Sequence, residues 1–153
     1  MPNLSNSNWL ESYLRLMENT EPARLFDKWV GYSVIAPALR RKVSLQLGRL
    51  VYYPNIYVVL VAEPGVARKT QAIKYGVSFL NTIPDIRLSA DSSTKEAMTD
   101  DIETSGMDEL LVDGTTLRHS SLNIISKEFE SFLGQKKENT RMLTALTDLF
   151  DCP

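Results

Sequence analysis

Lys69 and Thr70 are adjacent, follow a Pro64-Gly65 turn, and open an amphipathic segment. A lysine ammonium and a threonine hydroxyl at a helix start suit the β/γ-phosphates and Mg²⁺ of a bound nucleotide. Glu63, Pro64, Gly65, Val66, Ala67 and Arg68 complete the loop before them. Such a loop aims backbone N–H groups inward at a helix N-terminus, which favours small residues. The strict pattern G-x-x-x-x-G-K-[ST] is met only at its end, because Arg68 and Glu63 stand at the two glycine positions. In a second register Gly65 is the middle glycine, Ala62 and Ala67 replace the flanking ones, and Arg68 takes the lysine position. Lys69-Thr70 is the favoured pair, since it fits both chemical roles, with Arg68 as an added phosphate contact. The plain alternative is an ordinary strand–turn–helix connection with Pro64-Gly65 as its turn.

Nucleotide hydrolysis also needs a carboxylate near the metal and one to activate water. Leu122–Ser126 reads as a buried strand and is followed by Lys127-Glu128, so Glu128 stands where the water-activating base belongs. Lys127 occupies the place of the usual metal-side acid, and Glu130 and Asp91 are the alternative acids. Asp91 ends the second expected strand, a common rim position in such sheets. The competing role for Glu128 is a helix N-terminal charge. His119 is the sole histidine and Cys152 the sole cysteine, which argues against a zinc site. Ser120 and Ser121 lack a nucleophile-elbow pattern, so His119 reads as a surface or packing residue and Cys152 as inert.

The elements that must position these groups begin with helices. Asn8 and Glu11 resemble a capping box ahead of the stripe Trp9, Leu10, Tyr13, Leu14 and Met17. A second helix is expected from Thr20-Glu21-Pro22, burying Leu25, Phe26, Trp29, Val30, Ser33 and Val34, and ending or kinking at Pro37. Residues 43–53 read as a strand or turn around Gly48. From Ile56 strands and helices alternate. Ile56–Val61 is apolar on both faces, as in a central parallel strand. A helix from about Lys69 to Leu80 follows, then a short strand Ile86–Ala90, and a helix capped by Ser93 with Glu96 and running to Thr104. Asp113-Gly114 marks a hairpin between Leu110–Val112 and Thr116–Arg118. Leu122–Ser126 reads as a strand, a short helix runs to Leu133, and Asn139 caps a last helix bearing Met142, Leu143, Leu146, Leu149 and Phe150. The expectation is α/β: an incomplete three-layer phosphate-loop sheet over residues 51–153, preceded by a helical segment over 1–50.

The chain has 153 residues, 43% hydrophobic and 24% charged, enough for a sizeable core. No apolar run reaches bilayer length, and a single cysteine points to a reducing, cytoplasmic setting. Charge is uneven: residues 1–80 carry ten Lys/Arg against five Asp/Glu, and residues 81–153 carry seven against fourteen. Arg40, Arg41, Lys42 and Arg49 form a candidate DNA-contacting patch in the basic half. From charge alone a solvated surface is the favoured reading.

Several segments in order carry a resemblance: Tyr53–Tyr57, Glu63–Thr70, Ala90–Ala97, Ser120–Leu122, Lys127–Gly134 and Met142–Pro153. Together they resemble phage and prophage replication-type ATPases, the phosphate-loop part of virus-like primase–helicases, over roughly residues 20–153. The resemblance implies ATP with Mg²⁺ as ligand, motor activity on DNA, homo-oligomeric rings and an arginine finger supplied in trans. It assigns phosphate and Mg²⁺ binding to Lys69 and Thr70, and catalysis to Glu128. Lys127 departs from the acid pair, and no sensor strand follows the last helix, so the chain reads as an N-terminal fragment with weak or absent hydrolysis. The reading from another class is a non-catalytic interaction protein that keeps a degenerate phosphate loop. A small-molecule phosphotransferase would need a substrate-lid pattern that is missing.

Overall fold

The computed structural model describes residues 8–89, 94–134 and 136–150. These residues form a mixed α/β structure of six helices and two small antiparallel two-stranded sheets. Two compact units emerge, each assembled from two stretches of chain. The first comprises residues 1–35 and 57–83, and the second residues 36–56 and 84–153.

In the first unit, α1 (Trp9–Met17) starts at Asn8, whose side-chain oxygen accepts the Leu10 N–H. α2 (Arg24–Leu39) begins two residues after Pro22; its residues 36–39, with Pro37 in the last turn, belong to the second unit. α3 (Lys69–Leu80) has the expected bounds. The core joins Leu10, Tyr13, Met17, Phe26, Val30 and Ala72, with Leu60, Tyr75 and Phe79 packed around it. Burial of aliphatic and aromatic groups on this scale supplies roughly 1.5–3 kcal/mol per large side chain. Of the expected α2 face, Phe26, Val30 and Val34 are buried, whereas Leu25 is 62% and Trp29 44% exposed. The inward stripe is rotated toward Asp27 and Gly31, which are buried instead. Gly31 is a close-approach point: a Cβ there would lie 2.6 Å from Leu10 Cδ1. Trp9 is also 41% exposed, although its ring stacks on Tyr13 at 5.3 Å.

The expected central strand Ile56–Val61 is irregular. Its burial alternates residue by residue, and Leu60 and Ala62 pack on the first unit's core. Alternate residues therefore turn inward, and the stretch joins no sheet among the described residues. A parallel strand is stabilised by neighbours on its edges, not by its own composition.

In the second unit, β1 (Leu45–Leu47) and β2 (Leu50–Tyr52) pair as a hairpin around Gly48, whose φ of +63° suits the turn. All six strand residues are exposed. β3 (Gly106–Leu110) and β4 (Thr116–Ser120) form the second hairpin. Its connection is longer than the two-residue turn expected, spanning Leu111–Thr115, with Asp113 accepting from the Thr115 N–H and hydroxyl. α4 (Lys95–Thr104) is capped by Thr94, whose hydroxyl accepts the Ala97 N–H. The expected cap, Ser93, lies outside the described residues. α5 (Phe129–Leu133) and α6 (Lys136–Phe150) complete the unit, and α6 starts before Asn139. Met98, Phe132, Leu133, Met142 and Ala145 make its core. The expected strands at 86–90 and 122–126 meet in a single parallel bridge, Leu88 to Asn123. One bridge and two hairpins do not make the expected three-layer sheet.

Candidate functional site

The loop Ala62–Thr70 leads from the extended stretch into α3 in the first unit. Two of its residues carry unusual backbone angles. Gly65 has φ +77°, and Arg68, the residue before the helix, sits in the left-handed region at φ +51°. A non-glycine residue there costs about 1–2 kcal/mol. Arg68 thus holds a backbone conformation that ordinarily favours glycine. A Cβ at Gly65 would meet nothing within 4 Å, so its glycine answers to φ and not to crowding.

The first intrahelical bonds of α3 run from the Gln71 and Ala72 N–H groups to the Arg68 carbonyl, at 2.9 and 3.2 Å. No side chain caps this helix start. The N–H groups of Lys69 and Thr70 precede those bonds and share the positive end of the helix dipole. Lys69 turns back across the loop, and its Nζ donates to the Ala62 carbonyl at 3.3 Å. That bond joins the two ends of the loop through the side chain expected to meet phosphate. The Arg68 guanidinium lies 3.4 Å from the Glu21 carboxylate, in a pair that is well exposed on both sides. Such pairs contribute ~0–1 kcal/mol. The backbone is held by a separate contact, from the Ala23 N–H to the Ala67 carbonyl at 3.4 Å. Glu63, Pro64, Gly65, Val66, Arg68 and Thr70 are all exposed, and Lys69 is partly buried.

A phosphate group suits the residue types of this loop, which carries a guanidinium, an ammonium and a hydroxyl on consecutive residues at an uncapped helix start, the guanidinium paired with Glu21 and the ammonium bonded to the Ala62 carbonyl. A metal site built by the protein does not. No group of three or more His, Cys, Asp or Glu side chains suited to a metal occurs among the described residues. Mg²⁺ would take its ligands from phosphate oxygens and water, with Thr70 the one loop hydroxyl at hand.

Glu128 belongs to the second unit, is exposed, and precedes α5 without capping it through its side chain. Asp91, the expected metal-side acid, lies outside the described residues. The basic patch is largely engaged within its own unit. Arg40 lies 3.1 Å and Lys42 3.4 Å from the Glu109 carboxylate, and Arg41 sits 4.0 Å over the Tyr53 ring. Arg49, next to the Gly48 turn, is exposed.

The second unit also buries a charged cluster that the sequence reading passed over. The His119 side chain is only 5% exposed, with Glu109 at 12% and Arg40 at 10%. The two-residue turn expected at Asp113-Gly114 would pair Glu109 with Arg118 and put His119 on the opposite face; the observed register, Glu109 with Leu117 and Met107 with His119, puts Glu109 and His119 on one face. In the first unit, Asp27 is buried with Oδ1 unpartnered, as is the Tyr13 hydroxyl. Burial pushes the Asp27 carboxyl up, and burial with the Asp27 charge pushes the Tyr13 phenol up to about 12. Two shallow depressions, one beside Glu11, Arg15 and Arg24 and one beside Lys95, Asp100 and Arg141, include no loop residue.

Comparison with known protein families, curated proteins and solved structures finds no match. No helix among the described residues is long and apolar enough to cross a membrane.

Proposed function

We propose that the chain is a nucleotide-binding module that receives the phosphates of ATP on the loop Glu63–Thr70. The observation that carries this reading is the Lys69 bond to the Ala62 carbonyl across the mouth of an uncapped helix start. A phosphate oxygen replaces that carbonyl as the acceptor, and the Lys69 and Thr70 N–H groups add to the grip. Arg68 supplies a second cation. The resemblance to phage replication ATPases supports the same assignment and extends it to an incomplete three-layer sheet, a DNA-directed role and oligomerisation. For a DNA partner, Arg49 and Arg41 are the cations not already bound to Glu109. Hydrolysis by Glu128 is outside this proposal.

Both tryptophans, Trp9 and Trp29, lie in the first unit, so their fluorescence reports the unit that carries the loop. Thermal unfolding followed this way, with Mg·ATP at a hundred times its Kd, should show stabilisation of about 2.7 kcal/mol. Lys69→Ala should weaken binding roughly ten-fold or more, the worth of one charge-assisted hydrogen bond. An unchanged melting curve at millimolar Mg·ATP would refute the reading.

A second reading, an interaction protein with a degenerate loop, is favoured by the β1–β2 hairpin. Leu45, Leu47, Leu50 and Tyr52 are each at least half exposed there. Solvent-facing aliphatic groups in that number are typical of a surface that meets another protein. Absence of any nucleotide effect would leave this reading standing.

A further inference from the structure

The hairpin β3–β4 turns His119 and Glu109 to its inner face, where they are diagonal neighbours. Glu109 is shared. Its Oε2 lies 3.1 Å from Arg40 Nε and 3.7 Å from His119 Nε2, and its Oε1 lies 3.4 Å from Lys42 Nζ. Neither Arg40 Nε nor His119 Nε2 is aimed for a hydrogen bond, although both are buried. Arg40 is held at two further points, its Nη1 donating to the Asp85 carbonyl and contacting Met107 Sδ, each at 3.4 Å. Its backbone sits at φ +48°, just beyond the end of α2, with its N–H on the Ala36 carbonyl at 3.0 Å. An arginine in the left-handed region persists only where its surroundings over-determine it. Glu109 is the charged part of those surroundings.

On the other side of the ring, Ser121 Oγ lies 2.9 Å from His119 Nδ1. With the ring neutral, the carboxylate beside Nε2 favours the proton there, so Nδ1 accepts from the Ser121 hydroxyl. A second proton then enters at Nδ1, and the hydroxyl rotates to become an acceptor.

We propose that Arg40, Glu109 and His119 form a proton-operated joint. Glu109 secures the Arg40 turn while His119 is neutral, and transfers its Oε2 to His119 Nε2–H when the ring gains a proton. The proton comes from solvent and no covalent bond changes. Two forces drive the exchange. Imidazolium competes directly for Oε2, and it repels the Arg40 guanidinium across the same small space. The groups that act on the ring are Glu109, Arg40 and Arg41, with Lys42 reaching it through Glu109 and Ser121 on Nδ1. α4 also packs against β4 but supplies none of those charges. Burial, opposed by Glu109 and reinforced by Arg40 and Arg41, holds the ring below its ordinary 6.5. The joint is therefore closed at neutral pH and opens on acidification.

His119 is the only histidine, so its imidazole signals in NMR spectra of the full chain are unambiguous. Between pH 8 and 5 the His119 shifts should follow one titration with a midpoint below 6.5. Exchange of the Arg40 Nε–H with water, corrected for its intrinsic pH dependence, should accelerate several-fold through that midpoint. In His119→Gln the acceleration should vanish. In the parent the β3–β4 amides should show an exchange step at the same midpoint, and Arg40→Gly, which keeps the left-handed turn without the guanidinium, should abolish it. The proposal is overturned if His119 titrates while Arg40 exchange is unmoved. It is equally overturned if the step persists in His119→Gln, or if the ring takes up no proton before the chain unfolds.

Discussion

Gly76 fixes how closely α3, which begins with Lys69 and Thr70, approaches α2. A Cβ built at Gly76 would lie 2.5 Å from Val30 Cγ1 and 3.5 Å from Val34 Cγ2. Ordinary contact begins near 3.4 Å, so Gly76→Ala demands a separation increase of about 0.9 Å, from 3.4 minus 2.5. Val30 is 6% exposed and β-branched, and its rotamer in a helix is nearly fixed. The helices must therefore move apart, at a cost of about 1–3 kcal/mol for overpacking. Alanine in a helix interior returns about 1 kcal/mol relative to glycine. The single variant mixes these two effects, and a double-mutant cycle separates them. In a Val30→Ala background the obstruction is gone and Gly76→Ala should stabilise by about 1 kcal/mol. In the parent it should be neutral to destabilising by up to about 2 kcal/mol, the difference of the two effects. Urea unfolding followed by tryptophan fluorescence reads the right unit, since both tryptophans belong to it. The reasoning fails if Gly76→Ala changes stability equally in both backgrounds, or stabilises the parent by the full helical increment. Because the displaced helix carries the loop, a confirmed clash should also weaken Mg·ATP binding in the single variant and not in the double one.

Two further outcomes follow from buried or capping groups. Asp27 has a carboxyl pushed up by burial, so its contribution to stability is fully present below the unfolded value of 3.8 and is lost as pH rises through the folded value. Asp27→Asn should raise the urea midpoint at pH 7 and flatten the decline in stability above pH 4; a lower midpoint at pH 7 would contradict the assignment. Thr94→Ala removes the hydroxyl that accepts the Ala97 N–H, and should cost about 0.5–2 kcal/mol in thermal unfolding followed by circular dichroism, with Thr94→Ser close to the parent.

Helices were readable from the chain because their periodicity and caps are local. Trp9–Met17 and Lys69–Leu80 have the expected bounds, and Asn8 caps as expected. Strands were less so. Ile56–Val61 has strand composition, yet pairing depends on neighbours that composition does not specify. The Asp113-Gly114 turn was legible in place but not in loop length, because the Asp113 side chain closes a wider turn by bonding Thr115. At the loop, residue types suggested phosphate chemistry. The left-handed angle of Arg68 and the Lys69 bond to Ala62 are conformational facts that no spacing encodes. The Arg40–Glu109–His119 cluster was hidden for a different reason. Its members are separated by up to 79 residues, counted from Arg40 to His119, and meet only through tertiary packing.

The division of the chain into two units has a consequence for how the molecule can be taken apart. The chain passes between units at three places, after residues 35, 56 and 83. No single cut therefore yields both units whole. A truncation after residue 83 retains the 36–56 excursion without the rest of its unit, and one that starts at 84 strands Glu109 without Arg40 and Lys42. Synthesis meets the same order. Helix α1 and most of α2 leave the ribosome before α3 exists, and residues 36–56, which begin within α2, follow while most of their own unit is still unmade. The exposed β1–β2 hairpin is thus a nested insert, and a break in its turn would leave the pieces held by packing on either side.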